Sequence, residues 1–353
     1  MLRTILLSDA PREAELLAAL LDPRFSVDAV SSATLETNLA STPDYDIAIG
    51  AAFPEPWLRA ATRLRHLVVP FAGVPRKLRD ILGAAPQISV YSSHYNAGFV
   101  AEHAWALLLA AAKRIVPADR ALRAGDWSAR HNGAPSRVLR GKTLLLLGYG
   151  EIGREVARMA KGFDMRVIAI RRTTGTEGTA GGDGAEGTVE SAGGATSAGA
   201  ASAPAIDRLG GPGDLLEFLG QADAIIAALP ETARTIGLLG REAFARMRPG
   251  VLLVNVGRGS LIDEDSFAAA LRSGKIGAAG IDAWWVYPEN EAARSATAPS
   301  KHALGECENL VFSPHRASDV VGHDEAQLAD VARILRAIAV GSPPRSVDRS
   351  EWS

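Results

Sequence analysis

Over the first hundred residues, short apolar runs alternate with helical patterns. TILLSD (from Thr4), YDIAIGA (from Tyr45), LRHLVVPFAG (from Leu64) and QISVYSS (from Gln87) each read as a buried strand ending near a turn or a small residue. PREAELLAALL, from Pro11, reads as a helix between the first two. Strands that are apolar throughout, alternating with helices, belong to parallel sheets covered on both faces. A long helical stretch follows from Asn96 to about Arg123, with Pro117 expected to break or kink it near its middle and Gly125 to end it. A second α/β succession then begins. KTLLLLG, MRVIAI, ADAIIAALP, GVLLVNVG and AAGID read as strands, and IGREVARMAKGF and DSFAAALRSG as helices. The fold class expected is α/β, with two Rossmann-like doubly wound domains connected by the Asn96–Arg123 helices.

One stretch fits neither succession. Residues 173–205 are almost wholly Gly, Ala, Ser and Thr, with four acidic residues, no basic ones and a single Val. Too little apolar surface is available there to offset the entropy of ordering, so the pattern predicts a disordered surface insertion. It is either a tolerated insertion or a lid or partner contact. The remaining composition is ordinary: 47% hydrophobic and 22% charged residues, with a net charge of −2. That balance provides no electrostatic footprint for nucleic acid or an anionic membrane. The single cysteine, Cys307, cannot form an intramolecular disulfide, which fits a reducing compartment. The opening residues MLRTILLSDA are too short an apolar run for a signal-peptide core, and Ala104–Ala112 falls far short of a membrane span. The expectation is a cytoplasmic protein.

The clearest chemical signal is Gly148-Tyr149-Gly150-Glu151-Ile152-Gly153, a G-x-G-x-x-G between the strand Thr143–Leu147 and an amphipathic helix. In that setting Gly148 permits the tight turn, Gly150 lets backbone approach a pyrophosphate, and Gly153 lets helix pack on strand. The helix N-terminus offers N–H groups and partial positive charge to the phosphates. The next strand, Met165–Ile170, ends in Arg171-Arg172 rather than in an acidic residue for the ribose hydroxyls. Two guanidinium groups suit a 2′-phosphate, so NADP is the expected preference and NAD remains possible. The alternative is that both arginines are solvated.

Two further loops follow apolar runs. Asn255-Val256-Gly257-Arg258-Gly259-Ser260 places a permanently charged planar fork where open α/β sheets bind ligands, and that fork suits a carboxylate or an α-keto acid. Ser313-Pro314-His315-Arg316 places an imidazole at a strand end, where it can exchange a proton near neutral pH. None of the seven histidines shows a metal-ligand spacing, so no metal is expected.

These pieces together resemble the D-isomer-specific 2-hydroxyacid dehydrogenase family. The match is carried by NAGFVAEHAWALLLAAAKRI, ADRALRAGDW, GKTLLLLGYGEIGREVARMAKGF, ADAIIAALPETARTIGLLG, MRPGVLLVNVGRGSLIDEDSFAAAL, AAGIDAWWVYPEN and NLVFSPHRAS, in that order. The resemblance implies a discontinuous substrate domain of residues 1–98 and 317–353, with an NAD(P)-binding Rossmann domain of residues 99–316 inserted into it. It implies interconversion of small 2-keto acids and D-2-hydroxy acids by hydride transfer, on substrates such as glyoxylate or hydroxypyruvate. In that scheme Arg258 binds the substrate carboxylate or carbonyl and His315 exchanges the proton. Backbone amides around Phe71, Ala72 and Gly73 help hold the carboxylate, and Asp282 contacts the nicotinamide amide. Leu229, Pro230, Val256 and Gly257 are further candidates for cofactor contact. His94 and Asn96 are candidates for substrate contact, with Asn96 alternatively a helix cap. A homodimer pairing through the helix region around Ala101–Arg114 is also implied.

One position departs from the family pattern. A glutamate usually stands five residues after the Asp, directly before a proline, and pairs with the histidine; here that residue is Tyr287, followed by Pro288. A tyrosine can orient the imidazole through a hydrogen bond but supplies no counter-charge near neutral pH. The imidazolium should therefore be less stable than in the family. Three readings follow: a reductase whose His315 is oriented by Tyr287 or by another acid such as Glu289; a formate- or phosphonate-type dehydrogenase on the same fold; or a weakly catalytic NAD(P)-binding regulatory protein. Trp284 and Trp285 either pack the core or a subunit interface, or line the substrate pocket.

Overall fold

The computed structural model describes residues 1–8, 10–37, 44–172, 206–347 and 349–352. The insertion expected at 173–205 lies outside the described residues. Contacts divide the chain into two units, one of Met1–Asn96 with Val320–Ser353 and the other of Ala97–Asp319.

The first unit begins β1 (Leu2–Leu7), α1 (Pro11–Leu20), β2 (Phe25–Val30), α2 (Ser32–Thr37) and β3 (Ile47–Ile49). It continues through α3 (Glu55–Ala60), β4 (His66–Val69), α4 (Arg76–Leu82) and β5 (Ser89–Ser92). Its five strands are all parallel, in the order β2-β1-β3-β4-β5.

The second unit opens with α5 (Ala97–Lys113), α6 (Ile115–Arg123) and α7 (Ser128–Asn132). Then come β6 (Thr143–Leu147), α8 (Glu151–Gly162), β7 (Arg166–Ile170), β8 (Arg208–Gly210), α9 (Leu215–Gln221) and β9 (Ala224–Ala227). The unit ends with α10 (Arg241–Arg246), β10 (Val251–Asn255), α11 (Glu264–Arg272), β11 (Ile276–Ile281) and β12 (Leu310–Phe312). Its seven parallel strands run β12-β11-β10-β9-β6-β7-β8. The chain then returns to the first unit as α12 (His323–Ala339), whose Leu328, Val331 and Leu335 pack with Leu6, Leu17, Ile49 and Tyr91.

In the second sheet β6 and β9 are neighbours although β7 and β8 lie between them in sequence, so the strand order reverses there. The helices that follow two such strands leave on opposite faces, which opens a crevice beyond their carboxyl ends. All five residues of β6, all four of β9 and all five of β10 are buried, as expected for central parallel strands. Helix α5 covers one face: Val100, Ala101, Ala104, Leu107, Leu108, Ala111 and Ala112 recur at three- and four-residue spacing and are buried.

One local expectation needs correction. The long helical stretch breaks at Arg114, which adopts φ 54°, and not at Pro117, which sits in the first turn of α6. Proline is tolerated there because an N–H in the first turn has no intrahelical partner to lose. The apolar face of the region around Ala101–Arg114 is buried in its own unit, its other face carries the exposed Glu102, Ala106 and Lys113, and Ile115, Leu122, Trp127 and Val138 beyond it are exposed.

Candidate active site

The loop after β6 has the shape a dinucleotide needs. Gly148 adopts φ +103°, and a Cβ there would lie 3.0 Å from the Ala228 carbonyl oxygen. A Cβ on Gly153 would lie 2.3 Å from the Gly148 oxygen, so only glycine lets α8 start this close to the strand. The place a Gly150 Cβ would take is open, and Gly150 caps α8 without a side-chain hydrogen bond to its first turn. Backbone N–H groups and the helix dipole are thus presented to a clear space beside Ala228 and Leu229. The residues fit a pyrophosphate held by Gly148–Gly153. At the end of β7, Arg171 is exposed and its N–H donates to Gly210 at 2.9 Å. Burial pushes the Tyr149 phenol up, and Arg154, Arg158 and Arg171 each oppose that, the first two while paired with Glu151 and Glu155.

Three more strands end beside this crevice. The Asn255 side chain, fully buried at the end of β10, closes its own loop: its Oδ1 accepts from the Gly257 N–H at 3.0 Å and its Nδ2 donates to the Arg258 carbonyl at 2.9 Å. A Cβ on Gly257 would meet the Leu229 oxygen at 2.7 Å, and one on Gly259 the Trp284 oxygen at 2.1 Å. The loop is therefore pressed against both neighbouring strand ends, and Arg258 projects from it exposed. The Arg258 guanidinium makes one hydrogen bond to its own backbone neighbourhood, to the Gly257 oxygen at 2.7 Å.

His315 follows β12 in the left-handed region, at φ 55°. That conformation is uncommon for a residue with a Cβ and costs on the order of 1 kcal/mol, so the surroundings must hold it. They do so through Asp282, at the end of β11 and 1% exposed. Its Oδ1 accepts from the Ser313 hydroxyl at 2.5 Å and the Arg316 N–H at 3.0 Å, and its Oδ2 accepts from the Ala317 N–H at 3.2 Å.

The Tyr287 ring lies 5.4 Å from the His315 ring, tilted by 52°. Among the described residues the tyrosine hydroxyl has no hydrogen bond to the imidazole of the kind expected from the sequence; it accepts from the Trp284 N–H at 3.1 Å, and the two rings meet at a tilt. Although His315 is exposed by surface area, partial desolvation lowers its pKa; Asp282 opposes the shift and Arg258 adds to it. Burial likewise raises the Tyr287 phenol. Trp284 and Trp285 belong to the core: Trp284 stacks on Phe312 at 4.8 Å, and their indole N–H groups donate to Ser313 and Ile262.

One unit thus brings together Gly148–Gly153, Arg171, Leu229, Gly257, Arg258, Asp282, Tyr287 and His315 at the carboxyl ends of neighbouring strands. Phe71, Ala72 and Gly73, on the loop after β4, and His94 and Asn96, after β5, belong to the first unit. Phe71 is 37% exposed, Gly73 adopts φ 84°, and the exposed His94 Nε2 lies 3.3 Å from the Ser92 hydroxyl. Two residues of the site were not singled out in the sequence: His103 on α5, whose Nε2 lies 2.8 Å from the Ser313 hydroxyl, and Ser313 itself. Their only sequence signal is position, His103 nearly two turns into a buried helix and Ser313 two residues before the candidate histidine. Among the described residues, no group of three or more His, Cys, Asp or Glu side chains is placed to hold a metal, and no helix is long and apolar enough to cross a membrane.

Comparison with known proteins bears on this geometry. A glyoxylate reductase from Thermococcus onnurineus is 33% identical over 258 residues, an alignment covering 70% of this chain and 66% of the reductase. A D-3-phosphoglycerate dehydrogenase from Mycobacterium leprae is 31% identical over 284 residues, covering 80% of this chain and 47% of the relative. The chain thus spans just under two thirds of the first relative's length and about half of the second's. The crystal structure of a D-isomer specific 2-hydroxyacid dehydrogenase from Xanthobacter autotrophicus, in complex with NADPH and MES, matches with a TM-score of 0.73 at 21% identity, covering 99% of both chains; that likeness bears on the fold. The model described as "D-isomer specific 2-hydroxyacid dehydrogenase, NAD binding domain" matches residues 105–190 and 199–317, more than half of the chain, with Gly148–Gly153, Arg258, Tyr287 and His315 all inside the match. The protein belongs to the D-isomer specific 2-hydroxyacid dehydrogenase family.

Proposed function

We propose that the protein is an NAD(P)-dependent reductase of small 2-keto acids, glyoxylate and hydroxypyruvate among them, yielding the D-2-hydroxy acids. The observation that carries this reading is the meeting of Arg258 and His315 beside the glycine-rich cradle, on a chain 33% identical to a glyoxylate reductase. The nicotinamide, when bound, supplies the hydride. Arg258 binds the substrate carboxylate as a planar fork and stabilises negative charge growing on the carbonyl oxygen. His315, protonated, gives its proton to that oxygen. Asp282 keeps the His315 loop in place, and the Tyr287 ring shields one face of the imidazole from water. Phe71–Gly73, His94 and Asn96 are proposed as substrate-contacting residues.

Steady-state oxidation of NADPH and NADH with a panel of 2-keto acids, from about pH 5 to pH 9, tests the reading. Turnover that falls with rising pH supports it; binding of both cofactors without turnover of any keto acid overturns it. In the second case the neutral Tyr287 favours donors, such as formate or phosphonate, that need no proton delivered to a ketone.

The cofactor preference proposed is NADP, with NAD accepted, because β7 ends in Arg171 and Arg172 with no carboxylate for the ribose hydroxyls. Arg171→Asp is expected to reduce the NADPH/NADH ratio of kcat/KM by about fivefold or more, the scale of one lost charge-assisted contact. An unchanged ratio removes Arg171 from phosphate recognition.

The oligomer proposed is a homodimer formed through the helix region around Ala101–Arg114 together with the exposed stretch that follows it. Ile115 is 54% exposed, Leu122 49%, Trp127 62% and Val138 62%, and α6 buries none of its residues within its own unit. Exposed apolar side chains grouped in this way are a feature of association surfaces. Sedimentation should give a dimer that Trp127→Glu with Leu122→Glu converts to monomer. Wild-type protein sedimenting as a monomer at micromolar concentration overturns the proposal.

A further inference from the structure

The loop that carries His315 is held from three elements, and one of them lies outside the motifs that define the site. Asp282, directly after β11, is the acceptor in the bonds that hold the loop. It receives the Arg316 and Ala317 N–H groups and, at 2.5 Å, the Ser313 hydroxyl. The Ser313 hydroxyl has one hydrogen, and the carboxylate takes it. Its oxygen then faces the His103 Nε2 at 2.8 Å as an acceptor, so that nitrogen must carry a hydrogen and donate. The same Nε2 stands 3.5 Å from the Asp282 Oδ1. The Ser313 carbonyl is pinned separately by the Trp284 indole N–H at 2.7 Å. His103 therefore sets the direction of the one hydroxyl that ties Asp282 to the start of the loop, two residues before a histidine whose backbone is left-handed.

We infer that His103 and Ser313 are positioning residues for His315: through Asp282 they hold the proton donor at the angle its reaction needs. The inference rests on the reading of His315 as proton donor. The chain of donors runs from α5 to β12 by way of a carboxylate that is almost fully buried, where a misdirected donor is costly because no water replaces it. Neither His103 nor Ser313 is assigned a contact with substrate or cofactor. A donor held off-angle slows proton transfer and leaves binding unchanged, which separates this role from a binding one.

The test uses Ser313→Ala, His103→Leu and His103→Gln in the full-length enzyme, with two independent readouts. In the first, kcat for keto-acid reduction should fall by about fivefold in Ser313→Ala and His103→Leu, the scale of one hydrogen bond, with KM and NADPH affinity little changed. The solvent deuterium isotope effect on kcat should rise in both, because proton transfer becomes more nearly rate-limiting. His103→Gln, whose side-chain amide can donate from a similar position, should recover most of the loss. In the second, the His315 ring resonances of ¹⁵N-histidine-labelled protein should shift their titration midpoint in Ser313→Ala and His103→Leu and return towards wild type in His103→Gln. Equal loss in the Gln and Leu variants, or a His315 titration untouched by all three, overturns the inference. If the wild type reduces no 2-keto acid, the proposed function fails, and the His315 titration still decides whether His103 and Ser313 position that side chain.

Discussion

Arg258→Ala is expected to lower kcat/KM for 2-keto acids by roughly 10²–10³-fold, the range seen when one donor to a developing oxyanion is removed. Affinity for NADPH should stay within about twofold, because the cradle at Gly148–Gly153 is built from backbone and does not use the arginine. The loop itself should survive the change. Asn255 closes it through the Gly257 N–H and the Arg258 carbonyl, both backbone groups, and the arginine side chain adds only a bond to the Gly257 oxygen. Stability is therefore the wrong place to look for the loss. Arg258→Lys sharpens the test: it keeps the charge and removes the fork, so it should recover part of the binding and little of the orientation. Keto-acid reduction left intact in Arg258→Ala would remove Arg258 from the chemistry and take the carboxylate-clamp reading with it.

How much of the fold and the site is legible in the sequence depends on where each residue sits in a sheet. Central strands announce themselves: TLLLL, AIIA and VLLVN are buried at every position, and the turn glycines that follow them mark the crevice. Some edge strands do not. β2 (FSVDAV) is only half-buried and β8 (RLG) is largely exposed, each at one end of its sheet, so neither carries the continuous apolar run that gives a central parallel strand away. Local chemistry is legible where a motif forces it, as at Gly153, which tolerates no Cβ 2.3 Å from a carbonyl oxygen. Contacts between distant segments are not. That His103 on α5 reaches Ser313 across 210 positions is a property of packing, not of spacing. The Tyr287 hydroxyl is a similar case. The sequence locates the residue five positions after Asp282 but does not show that Trp284 takes the hydroxyl and leaves only the ring for His315.

That ring contact makes Tyr287→Glu the more informative substitution. In the wild type, partial desolvation drives the His315 pKa down, Arg258 adds to the effect, and Asp282, already accepting three hydrogen bonds, counters part of it. Reduction needs the protonated imidazole. Its rate is then full below the His315 pKa and is lost as pH rises through it, at a value below the ordinary one of about 6.5. A carboxylate at position 287 favours the imidazolium and should move the midpoint of the reductive pH profile upward by about one pH unit or more. On the alkaline side of both midpoints the protonated fraction rises about tenfold for each pH unit the midpoint climbs, partly offset because a less acidic donor transfers its proton more slowly. Oxidation of the hydroxy acid needs the neutral base, so its onset also moves to higher pH. At a fixed pH between the two midpoints, reduction therefore speeds up while oxidation slows down. The two directions check each other, since a general change in stability or binding cannot drive their rates oppositely. A pH profile identical in wild type and Tyr287→Glu would show that the titrating group is not His315. Reductive and oxidative profiles that climb the pH scale together would identify His315 as the donor and show that position 287 can restore the counter-charge its tyrosine does not supply.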